Sequence, residues 1–160
     1  MKLNAYKVLN DFGIASLVED AAGTKALISN DTFKEGQVIA PFYAREILQH
    51  PTYLTVQLSD NEHILLAPEF LQYTNHSCDP NAFFDTTEMK LIAVKSIRPG
   101  EAITFFYPST EWKMDQPFDC LCGTDKCIKI IKGAYALTKA QQENYKLNNF
   151  ILKKIQEGAS

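Results

Sequence analysis

A mainly β domain with few helices (α+β), closed by an amphipathic helix at its C-terminal end, is what the sequence predicts. Three observations carry the prediction. Tyr53-Leu54-Thr55-Val56-Gln57-Leu58 alternates, with Leu54, Val56 and Leu58 on one face. Asp60-Asn61-Glu62 and Pro99-Gly100 are turn signals between short apolar runs. Thr138 with Gln141 three residues later is a capping-box signature, and Leu147, Phe150, Ile151 and Ile155 follow at helical spacing.

Length and composition bound the rest. The chain has 160 residues, 46% of them hydrophobic, which suffices for one buried core and falls short of two ordinary domains. A formal charge of -3 and a sequence pI near 5.6 argue against direct nucleic-acid binding, which needs a basic face. A small basic partner such as a lysine-rich tail suits the chain better. The start, Met1-Lys2-Leu3-Asn4-Ala5, leads into no apolar run, and no stretch approaches the roughly 20 apolar residues that span a bilayer. The expectation is a soluble, intracellular protein without a membrane partner, nuclear in a eukaryote and cytoplasmic in a bacterium.

Taken in order, residues 27–66 read as strands and include a hairpin, in which the alternating run returns through His63-Ile64-Leu65-Leu66. Further short strands are expected over 90–94 and 102–107. One amphipathic helix is expected over 139–157, its apolar stripe packed against the domain.

The four cysteines have no signal peptide beside them, so thiols or metal ligands are favoured over disulfides. Cys120, Cys122 and Cys127 form C-x-C-x4-C, with Cys78 far upstream. Three thiolates from one loop supply most of a tetrahedral zinc shell, and a fourth from elsewhere closes it as a structural site. Free thiols, with Cys78 a small buried apolar residue, are the competing reading.

Asn75-His76-Ser77-Cys78-Asp79-Pro80-Asn81 resembles the segment that SET domains thread through a knot-like crossing beside their cofactor. Residues from Ile97-Arg98-Pro99-Gly100-Glu101 to Thr104-Phe105-Phe106-Tyr107 are similar to the family's Gly-Glu strand ending in tyrosine. The cysteine loop is similar to the post-SET zinc loop, whose fourth ligand is the cysteine of the Asn-His-Ser-Cys segment. The likeness implies a SET domain over residues 1–117, a post-SET loop over 118–133, and a C-terminal helix over 134–160 packed on the same domain. It departs from the family where Thr24 and Ala26 stand for two glycines, Arg45 for a glycine and Phe106 for an aspartate.

The resemblance implies a protein lysine methyltransferase that uses S-adenosylmethionine and carries one structural zinc on Cys78, Cys120, Cys122 and Cys127. Tyr107 is then the catalytic tyrosine, with Tyr43 and Phe105 as further walls of the lysine channel. Lys25, Ala26, Tyr53, Asn75, His76, Tyr107 and Leu121 are implied at the cofactor. A lysine-bearing protein or peptide, histone-like in character, is the implied partner. Phe105, lacking a hydroxyl tether, implies di- or trimethyllysine as product. The amine must be neutral to react, and a lysine with a pKa of about 10.4 is brought down by a neighbouring sulfonium and an apolar channel. No general base is evident in the sequence. A catalytically silent module of the same fold that binds a lysine-bearing tail is the alternative, favoured by the altered glycines and by Phe106.

Overall fold

Aspartates and positive-φ glycines divide the N-terminal part into hairpins. The computed structural model describes residues 5–158. Its strands are β1 (Tyr6–Asp11), β2 (Ala15–Asp20), β3 (Lys25–Ser29), β4 (Val38–Pro41), β5 (Tyr43–Leu48), β6 (Thr55–Ser59), β7 (Glu62–Ala67), β8 (Asn75–His76), β9 (Ala82–Asp85), β10 (Lys90–Ala93), β11 (Thr104–Phe105), β12 (Phe118–Asp119) and β13 (Ile130–Ile131). Between β1 and β2 the chain reverses at Gly13, φ +90°, whose N–H donates to Asp11 Oδ1 at 2.8 Å. Asp20 Oδ1 likewise accepts from the N–H groups of Ala22 and Thr24 at the next reversal.

The strands form three antiparallel sheets, β1-β2-β3, β4-β10-β9 and β5-β7-β6, with a parallel pair β8-β11 and a small antiparallel pair β12-β13. The expected hairpin is β6-β7, in register Val56 to Ile64. Buried side chains from several sheets, among them Leu27, Ile64, Leu66, Phe84, Leu91 and Ile103, share one core. Each such burial contributes roughly 1.5–3 kcal/mol before entropy is counted.

The strand expected over 102–107 is shorter than that. Ala102 bridges to Ile28, and the Ile103 N–H donates to Leu27 O at 2.8 Å, so this segment first pairs with β3 and then switches to β8 as β11. Pro108 cannot donate to a ladder, and Tyr107–Ser109 turn instead into a 3-10 helix. Tyr107 therefore opens a turn rather than ending a strand.

The helix expected over 139–157 is two helices, α1 (Lys139–Asn144) and α2 (Asn149–Gln156). Thr138 and Gln141 do form the reciprocal capping box at the start of α1. The break comes from tertiary bonds that continuous helix would forbid. Tyr145 is extended, its hydroxyl donates to Cys78 O at 2.7 Å, and its ring stacks on Phe106 at 3.6 Å. Buried Asn148 accepts from the Thr86 N–H and donates to Phe84 O and Ser109 O. Leu147 and Ile151 then pack with Phe106, Trp112, Ala134 and Leu137, so the apolar stripe faces the domain. Among the described residues no helix is long and apolar enough to cross a membrane.

Candidate active site and metal centre

The parallel pair aligns Thr104 with Asn75 and Phe105 with His76, setting the Asn-His-Ser-Cys segment beside the end of the Gly-Glu strand. Asn81 clamps them: its Nδ2 donates to Ala102 O at 2.8 Å and its Oδ1 accepts from the Thr104 N–H at 2.9 Å. Ser77 adds an N–H bond to Phe105 O at 3.0 Å.

His76 is buried, and burial lowers its pKa to about 4, so the ring is neutral. Its Nδ1 accepts from the Tyr107 main-chain N–H at 3.1 Å, and its Nε2 lies 3.3 Å from Cys78 Sγ. An accepting Nδ1 assigns the proton to Nε2, which therefore donates toward the sulfur. Both ring nitrogens are thus committed to protein partners.

Phe105 and Tyr107 meet at 4.7 Å between ring centroids and line a cavity of about 290 Å³. Tyr53, Leu71, Gln72, Glu111 and Phe118 also line it. Phe84 holds Phe105 edge-on at 4.7 Å. Burial pushes the Tyr107 phenol up to about 12, so it stays protonated at neutral pH. It can orient an oxygen-seeking or nitrogen-bearing group but is a poor base. The 3-10 turn brings Glu111 back beneath it, the N–H groups of Thr110 and Glu111 both donating to Tyr107 O at 3.1 Å.

The Sγ atoms of Cys78, Cys120, Cys122 and Cys127 all lie within 4.8 Å of one another, and Cys78 and Cys120 are 3.7 Å apart. Tetrahedral zinc with Zn–S bonds of about 2.3 Å requires sulfurs about 3.8 Å apart, so the donor set fits. Burial pushes the Cys78 thiol well up. Thiolates crowded so closely need a cation among them, which Zn²⁺ supplies. The Ile128 N–H, 3.4 Å from Cys78 Sγ, and His76 Nε2 are outer-shell donors to that sulfur.

A family model described as the SET domain matches residues 24–108, more than half of the chain. The chain belongs to the SET-domain family. "Methyltransferase flvH" of Aspergillus flavus is 40% identical over 99 residues, covering 61% of this chain and 55% of its own length. An H3 lysine-36 specific histone-lysine N-methyltransferase of Chaetomium globosum is 27% identical over 113 residues, 67% of this chain and 12% of its own. The chain thus spans about half of the first relative and a small part of the second. A solved structure described as KRYPTONITE in complex with mCHH DNA, H3(1-15) peptide and SAH shares the fold, with a TM-score of 0.52, 20% identity, and coverage of 70% of this chain and 28% of that one.

Within this SET domain the residues expected around the cofactor fall into three places. Asn75 Nδ2 donates to Lys25 O at 2.8 Å, joining β8 to β3, and Ala26 beside it is buried. Tyr53, 74% exposed, stands at the cavity with Tyr107. Leu121, between two cysteines, is 93% exposed and outside the cavity. His76 has both ring nitrogens engaged within the protein and is not among the residues lining the cavity. Tyr43 opens β5 with 65% of its surface exposed and is not among the residues lining the cavity with Phe105 and Tyr107. Glu111, Gln72 and Phe118 escaped the sequence reading. The single signal for Glu111 was a lone carboxylate between Thr110 and Trp112.

Proposed function

We propose that this SET domain is an S-adenosylmethionine-dependent N-methyltransferase acting on a lysine side-chain amine. The observation that carries the reading is the convergence of Phe105 and Tyr107 on one aromatic-walled cavity, with the Tyr107 main chain fixed by His76. Such walls suit an aliphatic stem that ends in a cation. The cofactor supplies an electrophilic methyl group on a sulfonium. In this reading Tyr107 orients the amine through its hydroxyl. Lys25, Ala26, Asn75, the His76 main chain, Tyr53 and Leu121 are assigned to the cofactor surface, and exposed Leu121 to the adenine. One zinc on Cys78, Cys120, Cys122 and Cys127 keeps the post-SET loop against the domain. The proposed limits are 1–117, 118–133 and 134–160.

The proposed substrate is a lysine-rich, histone-like protein tail. Its support is the net charge of -3 together with the histone-lysine specificity in the names of several relatives. An intracellular, nuclear setting goes with that substrate. Absence of a hydroxyl on Phe105 supports di- or trimethyllysine as product. The silent-module reading draws on Thr24 and Ala26 at the glycine positions. Calorimetric titration with S-adenosylmethionine separates the two. A methyltransferase gives saturable heat at one site per chain, whereas the absence of any specific heat would sink the enzyme reading.

A further inference from the structure

A buried carboxylate stands in the wall of a cavity whose lining mixes aromatic and aliphatic side chains with polar ones, a second carboxylate, Asp115, among them. Glu111 is 6% exposed and lines the cavity with Phe105 and Tyr107. Its Oε2 accepts from the Gln57 N–H at 3.0 Å and from the Thr110 hydroxyl at 2.6 Å. Its Oε1 has no hydrogen-bond partner among the described residues. Nor is Oε1 among the sealed orphan atoms, which are His63 Nδ1, Gln72 Oε1 and Ser109 Oγ. An oxygen that is neither bonded nor sealed, on a residue that lines the cavity, faces into it.

One of those orphans belongs to the same place. Gln72 lines the cavity too, but its unpartnered Oε1 is sealed from it, which leaves Glu111 Oε1 as the acceptor within the cavity's reach. Native structures rarely leave such groups unmet, and where they occur in a cavity a ligand is the natural complement. Glu111 Oε1 is an acceptor, so a ligand that meets it must bring a donor. An ammonium brings three and no acceptor, together with the charge a buried carboxylate lacks. A hydroxyl brings one donor and no charge. The cavity therefore selects a cationic nitrogen on an apolar stem.

We propose that Glu111 is a catalytic residue, the counter-ion of the substrate ammonium in this cavity and the acceptor of its proton before methyl transfer. The inference rests on the methyltransferase reading and deepens it. In the step, an ammonium N–H bond breaks and its proton passes to Glu111 Oε1, leaving the electron pair on nitrogen. That pair forms the new N–C bond while the C–S bond to the methyl group breaks, its electrons remaining on sulfur. The methylated amine is left as a cation, and Glu111 returns its proton to water once the product departs. Burial lifts the Glu111 carboxyl to about 7, which suits a group that must take up and release a proton near neutrality.

The test compares n-butylammonium chloride with 1-butanol, its neutral analogue, by NMR titration of the zinc-loaded protein and its Glu111→Gln variant. Glutamine keeps an acceptor for the Gln57 N–H, and a thermal melt checks its folding. Wild type is expected to bind the ammonium at least tenfold more tightly than the alcohol, and the variant to show a ratio near one. A wild-type ratio near one overturns the proposal whether or not the variant folds. Methyl transfer from labelled S-adenosylmethionine to poly-L-lysine is measured beside it, with an expected fall of about 100-fold or more in kcat/KM for Glu111→Gln. Wild-type rates in the variant refute the proton-acceptor role and leave the methyltransferase reading standing. Selective ammonium binding without any transfer by wild type refutes both that reading and the proton step built on it.

Discussion

The main-chain N–H of Tyr107 donates to Nδ1 of His76 at 3.1 Å, and the opposite nitrogen of that ring lies 3.3 Å from Cys78 Sγ. A single neutral imidazole therefore links the proposed catalytic tyrosine to the proposed zinc site. Its proton, on Nε2, points at a sulfur that becomes a thiolate when metal is bound.

That link predicts a joint loss. Zinc-replete protein should contain one zinc per chain, and metal analysis giving less than a third of an equivalent would contradict the site. Cys122→Ser, or chelation of the metal, should lower the melting temperature and weaken S-adenosylmethionine binding. It should also shift the Tyr107 amide resonance, because His76 loses the partner that fixes its orientation. An unchanged Tyr107 resonance after metal loss would argue that the two sites are uncoupled.

Phe105→Tyr should shift the product toward monomethyllysine without disturbing the fold. Phe105 and Tyr107 share the cavity wall at 4.7 Å, so a hydroxyl added at Phe105 can tether a partly methylated amine or a water. Mass spectrometry at long reaction times reads the result. Wild type halting at monomethyllysine would contradict the assignment of Phe105.

Asn148→Ala should destabilise the protein by about 3 kcal/mol, since the part-buried Thr86 N–H and the buried Phe84 O and Ser109 O all lose their partner. Urea denaturation checks the value. A change under about 0.5 kcal/mol, the range typical of inert surface sites, would show that the junction between α1 and α2 is not held by this side chain.

Glu111 sets a pH dependence of stability. Its pKa is raised by burial from 4.5 to about 7, so the folded state binds its proton more tightly than the unfolded chain does. The associated stability is fully present below about 4.5 and is lost as pH rises through about 7, amounting to about 3 kcal/mol. Tyr53, Tyr107 and Asp115 line the cavity with it, and His63 on β7 pairs with Gln57, which donates to its carboxylate. The wild-type protein should therefore lose stability between pH 5 and pH 7 relative to Glu111→Gln. Parallel stability curves for the two would contradict the shift.

Much of this site was legible because its parts come in contiguous runs. The Asn-His-Ser-Cys segment, the Gly-Glu run through Phe105 to Tyr107, and the cysteine loop each declare themselves locally, and the β6-β7 hairpin is announced by its alternation. Glu111, Gln72 and Phe118 meet only through the fold, and no spacing rule relates position 72 to position 111. Tyr43 sits in a recognisable segment, but the start of β5 leaves it exposed. The break between α1 and α2 carries neither Gly nor Pro. It depends on what the side chains of Tyr145 and Asn148 reach across the structure, although Asn148 is itself a favoured N-cap type. The β1-β2 hairpin was missed because β1 is exposed along its whole length and shows no inward face.

The most direct test of the account is transfer itself: wild type and Tyr107→Phe incubated with isotopically labelled S-adenosylmethionine and lysine-rich histones, the label being mapped by mass spectrometry. The tyrosine hydroxyl is proposed to act mainly in the transition state, so its removal should cut turnover about 100-fold or more while cofactor affinity stays nearly unchanged. The account predicts label on lysine Nζ with wild type and its near disappearance with Tyr107→Phe. Equal labelling by the two proteins, or no label on lysine with wild type, would contradict it.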